Sequence, residues 1–505
     1  MTNVSRERRA GVALSYCAIV IRNIAALLLI PFIINHLGVS HYGIYSLVSA
    51  LAGYLIVLEF GLANTTIRFL AIYKAEQDKA KEAAFISSIM LIYTVLAILV
   101  FFIGMALWWQ LPAIFSGSLS ANENQLLQSA FLILLVNVVI TLMSNALTGI
   151  ISSNQRFRFQ KSTEIIVFIV RCLSIVVGLE MGFGVLAIVI IDTTTNFLHS
   201  LIRFIYIRRN IDIRFKATLL DWLTLKEVFV YTSFIALNVL VNQINWRVDN
   251  LIIGTLTNST MLGIFNIGNQ LVFSFIAFAS VIVNIFTTKI MQMVQQGASN
   301  KVLMAQLCTI ARYQMIVLGY ILLIFAFFGE LFIYLFVGPA FLAAYWVALI
   351  AMVPFILVLA QSSINAVLQA LNLHKVRSLL LLATAIVNVI LSVYLVQKFG
   401  MLGAVWATAL ALLVGELLLV NIYLYRVVKL NILHLYYAIL RYSVPVLLLV
   451  ALFALTISPY ISTTWDGLVV ACLLTAMLYL PLSYFIILTA NERQQLKSLI
   501  RRRGA

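Results

Sequence analysis

The residues of this 505-residue chain best suited to chemistry are polar side chains set inside long apolar runs. Asn238, Asn242, Asn245 and Asp249 recur every three or four residues, so on a helix, at about 100° per residue, they share one face. Arg247 and Gln243 flank that stripe. Charges at membrane depth face a bundle interior or a watered cavity rather than lipid. Two chemistries are open for the stripe: hydrogen bonding to a neighbouring helix, or the wall of a water-filled path for a polar substrate. Two opposite charges and several amides exceed the needs of one helix contact, which favours the path. Asn266, Asn269 and Gln270 continue the polar theme on one face of the next apolar run.

Other intramembrane groups are isolated. Arg171 and Asp192 lie about 10 and 12 Å from opposite ends of adjacent spans, at 1.5 Å per residue, so they can meet as an ion pair that locks the bundle. Arg22 and Asn23 belong to the first span; Arg22 either lines the same polar cavity or pairs with a carboxylate. Glu416 has no partner in its own helix, so it is protonated or paired across the bundle. Glu59, near the inner end of the second span, is placed to cap toward water. Both glutamates are candidates for ion coupling. The five histidines are scattered, mostly at loop positions, and no nucleophile motif, phosphate-cradling glycine loop or ATP signature is present. The four cysteines stand singly in apolar runs, which predicts neither a disulfide nor a metal site. The expectation is a protein that is not an enzyme and uses no cofactor.

The elements that must position these groups follow from composition. A hydrophobic share of 63% with only 10% charged residues excludes a soluble domain and predicts an all-α polytopic membrane protein. Windows of about 20 residues give fourteen spans, near 11–35, 42–63, 85–107, 125–150, 164–181, 184–206, 229–254, 261–286, 308–328, 344–370, 378–396, 401–424, 438–457 and 467–489. The first apolar run is too long for a signal-peptide core and is expected to remain as a span. The net charge of +16 reports topology rather than a nucleic-acid partner. Nearly all of the 33 lysines and arginines fall on one set of alternate connections, with Lys398 alone on the other and Arg22, Arg171, Arg247 and Arg312 in or near spans. The positive-inside rule then places both termini in the cytoplasm.

Matched stretches recur about 220 residues apart: His36-Leu37, Ser40 and Gly43-Ile44-Tyr45 against Thr255-Leu256, Ser259 and Gly263-Ile264-Phe265; Asn145-Ala146-Leu147 against Asn365-Ala366-Val367; Gly184-Val185 against Gly403-Ala404. The repeat lays Arg22-Asn23 over 241–243. It predicts two six-helix lobes, 1–207 and 229–424, joined by a cytoplasmic linker at 208–228. They would be related by a pseudo-twofold axis along the membrane normal, with the site between them. Two further helices and a basic tail occupy 425–505.

The run Pro31 to Tyr45, with Leu37-Gly38, Tyr42-Gly43 and Tyr45, then Glu59-Phe60-Gly61-Leu62 and Arg68-Phe69-Leu70-Ala71, resembles the polysaccharide (O-antigen type) flippases of the multidrug/oligosaccharidyl-lipid/polysaccharide exporter superfamily. Asp249-Asn250-Leu251-Ile252-Ile253-Gly254 and Gly263-Ile264-Phe265 are similar to that family's second-half elements. Glu59 stands where the family more often has Asp, and Phe265 and Gly268 also depart from it. The resemblance implies export of an undecaprenyl pyrophosphate-linked oligosaccharide across a bacterial cytoplasmic membrane, with membrane lipids and other polysaccharide assembly proteins as partners. A lipid II flippase is an alternative, but the resemblance would then lead one to expect an Arg-Asp pair where this chain has Arg22-Asn23. A drug antiporter would be expected to carry an acidic residue in the first span, and a membrane polymerase or ligase a large outer loop.

Overall fold

In hydrocarbon a backbone finds no water to bond, and a helix meets the need within one segment. The computed structural model describes residues 2–211, 222–371 and 373–494, and among these the regular structure is helical throughout. The all-α class expected from composition is what the structure has. Among the described residues 11 helical stretches are long and apolar enough to cross a membrane, or 12 if Ala344–Ala360 and Ile364–Ala370, bent by 48°, form one crossing. Each of the fourteen expected ranges lies largely on helix, while Leu28–Ala75 is one apolar stretch of 48 residues. The chain forms two compact units, Met1–Gly263 and Ile264–Ala505.

In the first unit, α1 (Thr2–Val57) contains Pro31 and bends at Gly38, whose φ of 74° is readily adopted only by glycine. A tight turn with Phe60 at φ 54° and Gly61 at φ 75° leads into α2 (Leu62–Ala75) and carries Glu59. Asp78 caps α3 (Lys79–Ile114), accepting from the backbone N–H of Lys81 at 2.9 Å and of Ala80 at 3.1 Å. The Lys81 bond is the main reason that the Asp78 carboxyl lies below its ordinary pKa. α4 (Ala121–Ser153) opens with a reciprocal capping box between Ser120 and Glu123. It buries Leu127, Phe131, Leu135, Val138 and Leu142 on one face and packs against α1, α2, α3 and α6. α5 (Phe157–Glu180) and α6 (Val185–Asn210) follow, and α7 (Trp222–Leu256) packs on α1 and α2. Val95, Ile98 and Phe102 on α3 are exposed, as suits a surface bathed by lipid tails.

α8 (Ser259–Gln295) starts in the first unit and continues into the second, followed by α9 (Asn300–Val337), α10 (Ala344–Ala360), α11 (Ile364–Ala370), α12 (His374–Phe399) and α13 (Met401–Leu412). Two π-helical turns, Leu413–Leu419 and Leu424–Val428, flank α14 (Val420–Tyr423). Such wide turns are common where a helix serves a function. α15 (Ile432–Ile457) and α16 (Trp465–Leu482) pack on α9 through a core that includes Val446, Val450, Ala471 and Tyr479. Hydroxyls tie the contact: Tyr479 donates to the Ile316 carbonyl at 3.0 Å and Tyr320 to the Cys472 carbonyl at 2.6 Å.

Candidate functional site

Helix α7 is continuous through the polar stripe, but the side chains of Asn23, Asn238, Asn242, Gln243 and Asn245 lie outside the described residues. Arg247 is described, and α7 lays it against α1. Its Nη1 donates to the Ser49 carbonyl at 3.2 Å. The guanidinium occupies the space over Gly53, where a Cβ would stand 2.3 Å from Nη1. Among the described residues Arg247 makes no ion pair. Asp249 and Asn250 are buried, and the Asn250 Oδ1 lacks a hydrogen-bond donor among the described residues.

Arg171 and Asp192 come together across α5 and α6. Nε lies 2.5 Å from Oδ1 and Nη2 3.1 Å from Oδ2, a bidentate pair, and the Tyr45 hydroxyl of α1 donates to Oδ2 at 3.4 Å. Both charges are spent on each other, so this cluster ties three helices together and offers a substrate little. Arg22 has the carboxylate partner of its second reading: Nη2 donates to Glu164 of α5, whose other oxygen accepts from Lys161 Nζ at 2.9 Å.

Glu59 corrects an expectation. Rather than capping toward water it is 7% exposed, because the Phe60–Gly61 turn folds it beneath α3 and α4. There Oε1 accepts from the Tyr93 hydroxyl at 2.7 Å and the Ala63 N–H at 3.2 Å, and Oε2 from the Asn145 amide at 2.6 Å. Three neutral donors hold the carboxyl, and it makes no ion pair among the described residues.

A second carboxylate, Glu123, joins α4 to α1 and α8. Glu123 Oε1 accepts from Ser40 of α1 at 2.5 Å and from Ser259 of α8 at 2.6 Å, and the two serine hydroxyls are 3.0 Å apart. These serines are 219 residues apart, the spacing of the repeat. Next to them Gly43 and Gly263 approach reciprocally. A Cβ on Gly43 would lie 1.9 Å from the Ser259 carbonyl oxygen, and one on Gly263 would lie 2.6 Å from that of Val39. The signals were present in sequence, as a capping box and as matched repeat positions, but neither says that the positions touch.

In the second unit Glu416, within the first π-helical turn, pairs with Arg377 of α12 at 2.5 Å, which settles its partner as one across the bundle. Gln361, at the break between α10 and α11, donates to the Glu416 carbonyl at 3.1 Å. A cavity of about 30 Å³ beside Gln361, Arg377 and Glu416 has room for about one water. On α8, Asn266 and Asn269 are half-buried and Gln270 is exposed. Among the described residues no cluster of three or more His, Cys, Asp or Glu is placed to hold a metal ion.

A search of curated proteins by sequence found no match. The fold is that of known transporters. A solved structure described as the lipid II flippase MurJ in an inward closed conformation is similar over 94% of this chain and 98% of that one, with a TM-score of 0.73 at 17% identity. An inward-facing multidrug resistance MATE family transporter of the MOP superfamily is similar over 78% of this chain and 93% of that one, with a TM-score of 0.60 at 16% identity. An outward-facing one gives 83% and 97%, with a TM-score of 0.55 at 16% identity. The chain therefore has the fold of flippase-like transporters, in a multi-pass membrane protein. The sequence profile of one family, described as polysaccharide biosynthesis protein, matches residues 9–290. That is more than half of the chain, which thus belongs to the polysaccharide biosynthesis protein family.

Proposed function

We propose that the protein is a flippase. Its cargo is a lipid-linked oligosaccharide repeat unit of the undecaprenyl pyrophosphate type, moved from the inner to the outer leaflet of a bacterial cytoplasmic membrane. Movement is by alternating access through a cationic, amide-lined cavity, to which Arg22, Asn23, Asn238, Asn242, Asn245, Arg247, Asp249, Asn266, Asn269 and Gln270 contribute. The observation that carries this reading is the combination of a polysaccharide-family sequence with a lipid flippase's fold. Physical chemistry supports it. A diphosphate needs cationic, hydrogen-bonding surroundings while its lipid tail stays in hydrocarbon. An interior-negative membrane favours outward movement of negative charge by ~2.3 kcal/mol per unit charge per 100 mV, so no nucleotide is required. In a strain lacking the gene, surface polysaccharide should disappear and lipid-linked oligosaccharide should accumulate in the inner leaflet. Unchanged surface polysaccharide would sink the reading.

The likeness to MurJ along nearly the whole chain favours a second cargo, lipid II or another polyprenyl-linked precursor. It predicts accumulation of cell-wall precursor in the same strain. Fourteen crossings, with both termini and the linker 208–228 in the cytoplasm, complete the proposal. The basic residues of the tail and of alternate connections support that orientation. Alkaline phosphatase fused after Ala505 should be inactive, and an active fusion would reverse the topology.

A further inference from the structure

We propose that a cationic cup in the second unit, lined by residues other than those proposed for the transport path, binds the phosphate-bearing headgroup of an anionic phospholipid. The cup has a volume of about 1170 Å³ and is built where the end of α8, the start of α9, the start of α15 and the chain beyond α16 meet. Its lining includes Lys289, Lys301, Arg312, Lys429, His434 and Glu492. The only carboxylate among the lining residues, Glu492, is already engaged: Arg312 Nη2 lies 2.5 Å from Oε1 and Nε 3.1 Å from Oε2, and the Thr489 N–H donates to Oε2 at 2.9 Å. Lys289 donates to the neutral Gln306 Oε1 at 2.7 Å, and Lys301 and Lys429 make no ion pair among the described residues. Three lysines are thus uncompensated around one hollow, which calls for an anion.

The surroundings say that the anion is on a lipid. The cup lies at helix ends, beside connections that carry basic residues of the sequence. Phe278, Val281 and Ile285 of α8, spaced three and four residues apart, form an exposed apolar stripe leading to it, and Leu433, next in the chain to the lining residue His434, is 81% exposed. A molecule with an anionic head and an apolar tail satisfies both halves at once, whereas a free anion would leave the stripe unused. Juxtamembrane lysines attract anionic lipid by a recognised amount, equivalent to about five-fold in affinity per residue.

The proposal does not rest on the transport reading and is tested without a transport assay. The purified full-length protein is placed in nanodiscs of phosphatidylcholine alone, or of an equal mixture with phosphatidylglycerol, and its melting temperature and retained lipid are measured. Phosphatidylglycerol should raise the melting temperature and remain bound in native mass spectra. The K289Q/K301Q/K429Q variant should lose most of the shift while melting as the wild type does in phosphatidylcholine, and K398Q, on the opposite connections, should keep it. Lys301→Gln alone, at an exposed position, should weaken binding about five-fold and serves if the triple variant is unstable. An equal shift in all variants would overturn the proposal. So would the same shift from inorganic phosphate without the lipid, or a shift from a polyprenyl diphosphate with none from phosphatidylglycerol, which would assign the cup to the transported lipid.

Discussion

Arg247→Ala is expected to abolish surface polysaccharide while leaving the protein in the membrane at its wild-type amount. The reason is the contrast between the arginines of the first unit. Arg171 is paired with Asp192 and Arg22 with Glu164, whereas among the described residues Arg247 has the Ser49 carbonyl and no carboxylate. A cation without a counter-ion in a membrane span is a functional group by default. Its fork of donors suits a diphosphate, and losing a charged hydrogen bond of this kind costs about 1.5–3 kcal/mol. Flux should fall at least ten-fold, roughly. Arg247→Lys, which keeps the charge but not the fork, should retain part of it. Gly53→Ala offers a subtler probe, since its Cβ would stand 2.3 Å from Nη1 and 2.7 Å from Cζ. Those atoms end a flexible side chain, so the guanidinium would shift and the backbone would stay. Export should be intermediate with unchanged stability. Full polysaccharide in Arg247→Ala cells would instead make the residue a packing contact on α1.

The largest structural effect is expected at Gly43. A Cβ there would lie 1.9 Å from the Ser259 carbonyl oxygen and 2.8 Å from its carbon, and backbone cannot rotate aside as a side chain can. α1 and the start of α8 would have to separate, which also pulls Ser259 from Glu123. Overpacking of this kind costs typically ~1–3 kcal/mol and sometimes more, and the backbone contact puts Gly43→Ala at the upper end. Detergent-solubilised Gly43→Ala protein should melt well below the wild type, and Gly263→Ala, with its nearest atom at 2.6 Å, less so. Gly117→Ala, with no atom within 4 Å of its Cβ, should be silent. Wild-type melting of Gly43→Ala would show that the close approach is not a real constraint.

That the chain is built of long apolar helices could be read in the sequence because each crossing must be apolar along about 20 residues. The Arg171–Asp192 pair was legible for a related reason: α5 and α6 are antiparallel neighbours joined by a short turn, and the two residues stand at similar distances from it. The cage around Glu59 was not. Its donors Tyr93 and Asn145 come from two other helices, 34 and 86 residues away, and nothing in the local pattern points to them. Arg22 and Glu164, 142 residues apart, were hidden in the same way. The 48° break after α10 falls at Gln361-Ser362-Ser363, a run with neither proline nor glycine to announce it. The repeat identified Ser40 with Ser259 and Gly43 with Gly263 as equivalents. That equivalents lie side by side is a fact of packing, on which a one-dimensional match is silent.

The two sets of partners around Glu123 also impose an order on the protein's birth. Ser120 is a neighbour in the chain, and its N–H and hydroxyl donate to Oε2 at 2.9 and 2.8 Å. Ser259 donates to the other oxygen from 136 residues further on. At ~5–20 residues per second, the ribosome delivers that serine on the order of 10 s after the glutamate. Through that interval the capping box is available to one oxygen of the carboxylate and Ser40, which was made earlier, to the other, before Ser259 exists. If these contacts form as the chain emerges, α4 would not be inserted with a bare charge at its head, and the helix made last would dock onto an acceptor already held in place.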